Sequence, residues 1–227
     1  MDLENKNLTS SFNFIEVVQK YWNYLFIILA AVIVYLPTLS FAFSPLDDEW
    51  LIVKRIDLYR DLSSLKVFFS EAILDNYYRP IWVVSYMPDV MIGGSNPMVF
   101  HFFNIVYHAI ASVLLFVVFQ KLGLKRNIAF GFSLLFAVHP LHVQSVAFVP
   151  GRVDVLLAIF SFSVFIFFLN YLENFKIKNL LFCTLFTVLA LFTKENAIVL
   201  PILFTGYYIL INKKTIRKEI IYLFAIL

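Results

Sequence analysis

"YLFIILAAVIVYLPTLSFAFSPLDDEWLIV", residues 24–53, sets a run of some twenty apolar residues directly against three consecutive carboxylates, Asp47, Asp48 and Glu49. A helix rises about 1.5 Å per residue, so about twenty apolar residues cross a hydrocarbon core of about 30 Å. Residues 24–43 therefore read as a transmembrane helix with acids at its mouth. Tyr21, Trp22 and Tyr24 supply an aromatic belt where the helix meets the membrane. The preceding "MDLENKNLTS" lacks the positive start of a cleavable signal, so the segment is expected to remain as an anchor.

Working outward, five more apolar stretches of similar length follow, near 100–120, 129–149, 154–172, 179–193 and 197–212. A seventh run begins at Ile220 and stops at Leu227, which leads us to expect a chain truncated at its C-terminus. With 61% hydrophobic residues and 15% charged ones, there is too little polar surface to cover a water-soluble globule. The predicted fold class is an all-α polytopic membrane protein, a helical bundle of about six to seven transmembrane helices. Residues 1–23 form an N-terminal segment, and 24–227 form the membrane module. The single cysteine, Cys183, lies inside an apolar run and allows no disulfide framework. No basic stripe marks a nucleic-acid face.

Lysine and arginine set the orientation. The tail and alternate connections, including Lys6, Lys121, Lys125, Lys176 and Lys213, collect eleven of these residues. The two short connections on the other side carry only Arg152 and Lys194, and the rest lie in the long loop 44–99. The N-terminus is thereby expected in the cytoplasm, which would leave the "NLT" sequon at Asn7 silent. The lysine-rich connections read as plain anchors. The opposite ones are chemically unusual: "DDEW" at 47–50, "YYRP" at 77–80, "HPLHVQSVAFVPGRVD" at 139–154 and "TKEN" at 193–196. Ionisable groups gathered at one membrane face form a functional-site hypothesis.

The 44–99 loop is long enough to be a functional element. Its "LIVKRIDLYRDLSSLKVFF" sets Ile52, Ile56, Tyr59 and Leu65 near one face of a predicted interfacial helix. "MIGGSNPM" at 91–98 predicts a turn before the second span. Each polar residue also has a plainer reading. An Asp at the start of a helix is commonly a cap, although a cap explains one carboxylate and not three. Arg79 and Arg152 could snorkel, and Arg152–Asp154 and Lys194–Glu195 could be local contacts. His139 and His142 share i, i+3 spacing and could hydrogen-bond a ligand. They could also hold a divalent metal with Asp47 or Asp48, but Pro140 between them argues for a helix break. His101 and His108 read as hydrogen-bonded inside the bundle.

A long loop after the first span, opening on paired acids, resembles the GT-C superfamily of polytopic glycosyltransferases. More narrowly, "YYRPIWVVSY", "NPMVFHFFNIVYHAIASVLL", "LLFAVHPLHVQSVAFVPGRVDVLLAIF" and "LALFTKENAIVLP" resemble the transmembrane-and-TPR-repeat O-mannosyltransferase family and its bacterial relatives. The likeness runs from about Asp47 to Pro201. Two features depart from that family: its further spans and TPR repeats are missing, and its "HPxHTEAVA" stretch reads "HPLHVQSVA" here, with Gln144 at the acid's position.

The resemblance implies a GT-C-like bundle that takes a polyprenyl- or dolichyl-phosphate sugar, such as a mannosyl donor, and a protein or glycan acceptor. It implies an active face outside the cytoplasm, in a bacterial inner membrane or the endoplasmic reticulum, and no firm cofactor. It favours Asp47 ahead of Asp48 as the catalytic acid. Substrate binding would fall to Glu49, Arg79, His139, His142, Arg152, Asp154, Lys194 and Glu195, with the guanidinium fork matched to phosphate. Different classes remain open at this point: a non-catalytic lipid-binding scaffold, or a transporter. A transporter would carry ionisable or broken elements near the bilayer midplane, and stretches such as "FSFSVFIFF" are free of them.

Overall fold

The computed structural model describes residues 14–72 and 77–211, and the fold is all-α with no strand among them. The Asn7 sequon, the basic cluster Lys213–Lys218 and the apolar run from Ile220 lie outside the described residues. The elements are α1 (Phe14–Tyr35), α2 (Asp47–Leu51), α3 (Ile56–Arg60), α4 (Leu65–Ser70), α5 (Pro80–Val84), α6 (Met87–Gly93), α7 (Pro97–Lys121), α8 (Arg126–Val138), α9 (Val143–Ala147), α10 (Arg152–Asn174), α11 (Ile177–Leu191) and α12 (Leu200–Ile211).

Among the described residues three helical segments are long and apolar enough to cross a membrane: Tyr21–Ser40, Pro97–Lys121 and Val149–Asn174. The expected span at 129–149 is a pair, Arg126–Val138 and Pro140–Ala147, bent by 45° and counting as a fourth if it crosses as one unit. Proline lacks the amide proton and disfavours helical backbone in the residue before it, so His139 turns extended and the helix breaks. The remaining two expected spans are the 15-residue α11 and the 12-residue α12.

Local chemistry sets the ends of the helices. After α1 the chain tightens into a 3-10 turn, Leu36–Ser40, containing Pro37, and the Thr38 hydroxyl donates to the Tyr35 carbonyl at 2.8 Å. The expected turn before α7 is present. Gly94 takes φ +59, where a side chain would be strained, and Asn96 caps α7 by accepting from the Met98 amide at 3.1 Å. The expected interfacial helix is instead a chain of short turns, α2 to α4, with 3-10 segments between them. Tyr59 is buried beneath those turns and its hydroxyl donates to the Leu51 carbonyl at 2.8 Å. Leu65 stays exposed, so the predicted single face of Ile52, Ile56, Tyr59 and Leu65 is not kept.

The loop sits on a core of its own. Leu51, Tyr59, Phe68, Trp82, Tyr86, Phe100 and Val149 form one buried cluster that fixes α2–α6 to the starts of α7 and α10. A second cluster, with Phe168, Cys183 and Phe204, joins α10, α11 and α12. A third, with Ile27, Ala109, Phe116 and Ala129, joins α1, α7 and α8. Successive long helices run in opposite directions, so the loop 36–96, the 139–151 connection and the 192–199 connection gather at one end. At the other end, Lys121 pairs with Glu173 at 3.6 Å, and Arg126 donates to Asn23 at 2.6 Å.

Candidate functional site at the polar end

The three acids form the first turn of α2, where negative charge is favoured by the helix dipole. Neither aspartate is the N-cap, because Leu46 holds that position and offers no side-chain bond. Asp48 reaches back instead, and its Oδ2 accepts from the Ser44 amide at 2.6 Å. That bond closes the "SPLD" turn and turns Asp48 inward, to 2% exposure, while Asp47 is exposed and Glu49 half-buried. Burial pushes the Asp48 carboxyl above the ordinary aspartate range, and neighbouring Asp47 pushes the same way. The Ser44 amide opposes both.

Asp48 faces a recess of about 280 Å³ between the chain after α1, the start of α7, and α9, which Ser44, His101, Gln144, Phe41 and Phe148 also line. Its wall is fixed from behind. Asn104 of α7 donates to the Val146 carbonyl at 3.1 Å, satisfying an end of α9. Gly151 lies so close to α9 that a Cβ there would stand 2.2 Å from the Gln144 carbonyl oxygen, a distance only glycine permits. His108 meets the Ala137 carbonyl at 3.0 Å, which supplies a partner to a group left over where α8 ends.

The other predicted residues divide into pairs. Arg152 is fully buried. Its Nε donates to Asn104 Oδ1 at 2.6 Å, Nη1 to the Ser85 carbonyl at 2.9 Å, and Nη2 to the Phe100 carbonyl at 3.0 Å and to Asp89. The guanidinium also lies over the Tyr86 ring at 4.5 Å. Arg152 is thus placed in the core, joining α6, α7 and α10, and its partner is neither a ligand nor Asp154 but Asp89, which sequence reasoning did not single out. Burial raises the Asp89 carboxyl to about 6, against the lowering effect of Arg152.

The "TKEN" connection ties two distant segments. Lys194 pairs with Asp154 of α10. Glu195 accepts from Arg79 at both oxygens, with Nε at 2.9 Å, and the Ile81 amide donates to the Phe192 carbonyl at 3.1 Å beside them. The hydrogen bonds from Arg79 hold the Glu195 carboxyl below its ordinary range. Arg79 itself sits 4.4 Å from the Tyr77 ring, only 11% exposed at its side chain. His139 accepts from the Leu141 amide at 3.2 Å, and His142 packs on Phe136 at 4.2 Å and faces a smaller cavity with His108 and Asp154. Among the described residues no group of three or more His, Cys, Asp and Glu side chains comes together to hold a metal ion.

Sequence reasoning missed one member of the recess. His101 was expected to be hydrogen-bonded in the bundle, as His108 is. It is 2% exposed, and neither ring nitrogen has a partner among the described residues. The available signal was the cost of placing an imidazole at the start of an apolar helix.

Fold and site together define an all-α polytopic integral membrane protein whose ionisable side chains collect at one end of the bundle. The chain belongs to the dolichyl-phosphate-mannose-protein mannosyltransferase family, which matches residues 81–227. It is similar to protein O-mannosyl-transferase TMTC1 of Mus musculus, 32% identical over 138 residues, or 56% of this chain and 15% of the relative. It is similar to Tmtc1 of Drosophila melanogaster, 29% identical over 176 residues, or 74% of this chain and 20% of the relative. With TMTC3 of Homo sapiens the identity is 33% over 129 residues, or 53% of this chain and 14% of the relative. The chain thus spans a fifth or less of the length of these relatives. No solved structure matches it.

Proposed function

We propose that the protein is a membrane glycosyltransferase that moves a sugar, mannose by analogy with the names of its relatives, from a polyprenyl- or dolichyl-phosphate donor to a protein hydroxyl. In this reading the polar end faces away from the cytoplasm. The observation that carries it is the division of labour in the acid pair: Asp48 is buried and bonded to Ser44, and that anchor presents Asp47 to solvent on the first turn of α2. A base toward an incoming hydroxyl must be accessible, and Asp47 is.

The chemistry passes through an oxocarbenium-like transition state, as in other glycosyl transfers. The bond from the sugar's anomeric carbon to phosphate breaks, the acceptor oxygen forms the new bond, and its proton goes to Asp47. The leaving phosphate takes the electron pair of the broken bond and needs a cation. Arg79 suits that role: its Nε and Nη2 are held by Glu195, which fixes the guanidinium plane, and Nη1 is left to meet a phosphate oxygen. Lys194, held by Asp154, stands on the same connection as a second positive charge. Glu49, His139 and His142 line the surroundings for the acceptor.

The test is transfer by the purified protein in nanodiscs, with a synthetic mannosyl-phosphoryl-polyprenol and a serine/threonine peptide. Asp47→Asn preserves size and removes the base, so transfer should fall by at least about 10²-fold with donor binding unchanged. Unchanged transfer in Asp47→Asn, or none in the wild-type protein, would overturn the reading.

A further inference from the structure

The recess behind the acid turn has an unexplained polar lining. Asp48 Oδ1 and both nitrogens of His101 are buried without a hydrogen-bond partner among the described residues, and both side chains line the same space. Buried polar groups are normally satisfied, and leaving one unmade costs about 1–3 kcal/mol. Two such residues converging on one space point to a ligand that supplies the missing partners. We infer that this recess binds a single neutral sugar ring, with Asp48, His101 and Gln144 as the residues that select and position its hydroxyl groups. This rests on the transferase reading and assigns residues to its sugar.

The chemistry of the lining favours a polyol over the alternatives. An ionised carboxylate only accepts, a neutral imidazole donates at one nitrogen and accepts at the other, and the Gln144 amide does both. Hydroxyls donate and accept, so they can satisfy all three residues at once. A phosphate would meet the Asp48 charge, and no lysine or arginine lines the recess to offset it. Each nitrogen of nearby Arg152 is already engaged in the core. The aromatic walls, Phe41 and Phe148, offer apolar faces to the C–H side of a ring. Phe41 stands edge-on to His101 at 6.1 Å, which ties one wall to the polar group it flanks. At about 280 Å³ the space lies near the lower end of the roughly 300–1,000 Å³ usual for small-molecule sites, room for one ring and not for an oligosaccharide.

The experiment is saturation-transfer NMR on the intact protein in nanodiscs with methyl α-mannopyranoside as probe, competed by inorganic phosphate. The wild type should transfer saturation to the sugar, and phosphate should not displace it. Gln144 is exposed at the rim, so Gln144→Leu tests the recess with little risk to folding, and it should weaken binding by at least about fivefold. His101→Gln, verified by an unchanged melting curve, should weaken it at least as much. Displacement by phosphate, no saturation transfer in the wild type, or equal binding in both variants overturns the assignment and leaves the recess to solvent. The two readings fail separately. A protein that binds the sugar but transfers none removes the transferase and keeps the recess. A protein that transfers sugar while both variants bind the probe as the wild type does removes the recess and keeps the transferase.

Discussion

Replacing Arg152 with methionine removes the guanidinium and keeps most of the side chain's length. In the folded protein this leaves Asp89 without its cation, Asn104 Oδ1 without its donor, and the Ser85 and Phe100 carbonyls without theirs, all in the core. Breaking a buried ion pair from one side costs about 3–5 kcal/mol, because the remaining charge stays buried and unpaired. The orphaned carbonyls push in the same direction. At about 2–4 °C per kcal/mol for a chain of this size, Arg152→Met should lower Tm by about 6–20 °C. Asp89→Leu added to it should recover part of that loss, since an apolar pair leaves no stranded charge. The assay is thermal unfolding of nanodisc-embedded protein followed by intrinsic fluorescence, with the single and double variants forming a cycle. An Arg152→Met protein that melts within about 2 °C of wild type, yet binds a lipid-phosphate donor more weakly, would refute the reasoning and return Arg152 to the substrate.

Asp48→Asn should keep the Ser44 contact through its amide oxygen and reduce transfer less than Asp47→Asn does, a comparison made in one transfer assay. Gly151→Ala forces a methyl against the backbone of Gln144 and Ser145, so it should cost about 1–3 kcal/mol in the same melting assay and weaken sugar binding. For Glu195, the folded state lowers the pKa, so the stability from its pairing with Arg79 is present above the unfolded value of 4.5 and lost as pH falls through the lowered value. Glu195→Gln should therefore flatten the acid limb of the pH–stability curve, and an unchanged limb would count against the pairing. Cysteines placed at Lys125 and Lys176 should be shielded from an impermeant thiol reagent in intact cells and one at Ser95 labelled. The reverse pattern would invert the orientation.

Hydropathy made the division of the chain legible. The acids, Arg79, Asp154 and the "TKEN" connection fall between apolar stretches on alternate turns of the path, so a sequence count places them at one end, and they are there. Pro140 announced the break in α8, although the apolar count across 129–149 still read as one span. The partners were not legible. Arg79 and Glu195 lie 116 residues apart, and Lys194 and Asp154 lie 40 apart. Local spacing suggested the adjacent pairs Arg152–Asp154 and Lys194–Glu195, whereas tertiary approach exchanged every partner. Asp89 sits in the unremarkable "MPDV", and only its burial beside Arg152 gives it a role. Asp47 and Asp48 are neighbours of identical chemistry, and the bond to Ser44 separates the exposed one from the buried one.

The ion pair in the core also constrains the order of biogenesis. Asp89 is synthesised 63 residues before Arg152, and α7 and α8 lie between them. Until α10 enters the membrane, Asp89 has no buried cation to meet, and burying its charge alone is unfavourable. The loop that carries the acid turn therefore emerges from the ribosome first and closes late, after the helices that follow it have been inserted. A nascent chain arrested before Arg152 should hold the α2–α6 loop open to protease, and one arrested after α10 should protect it.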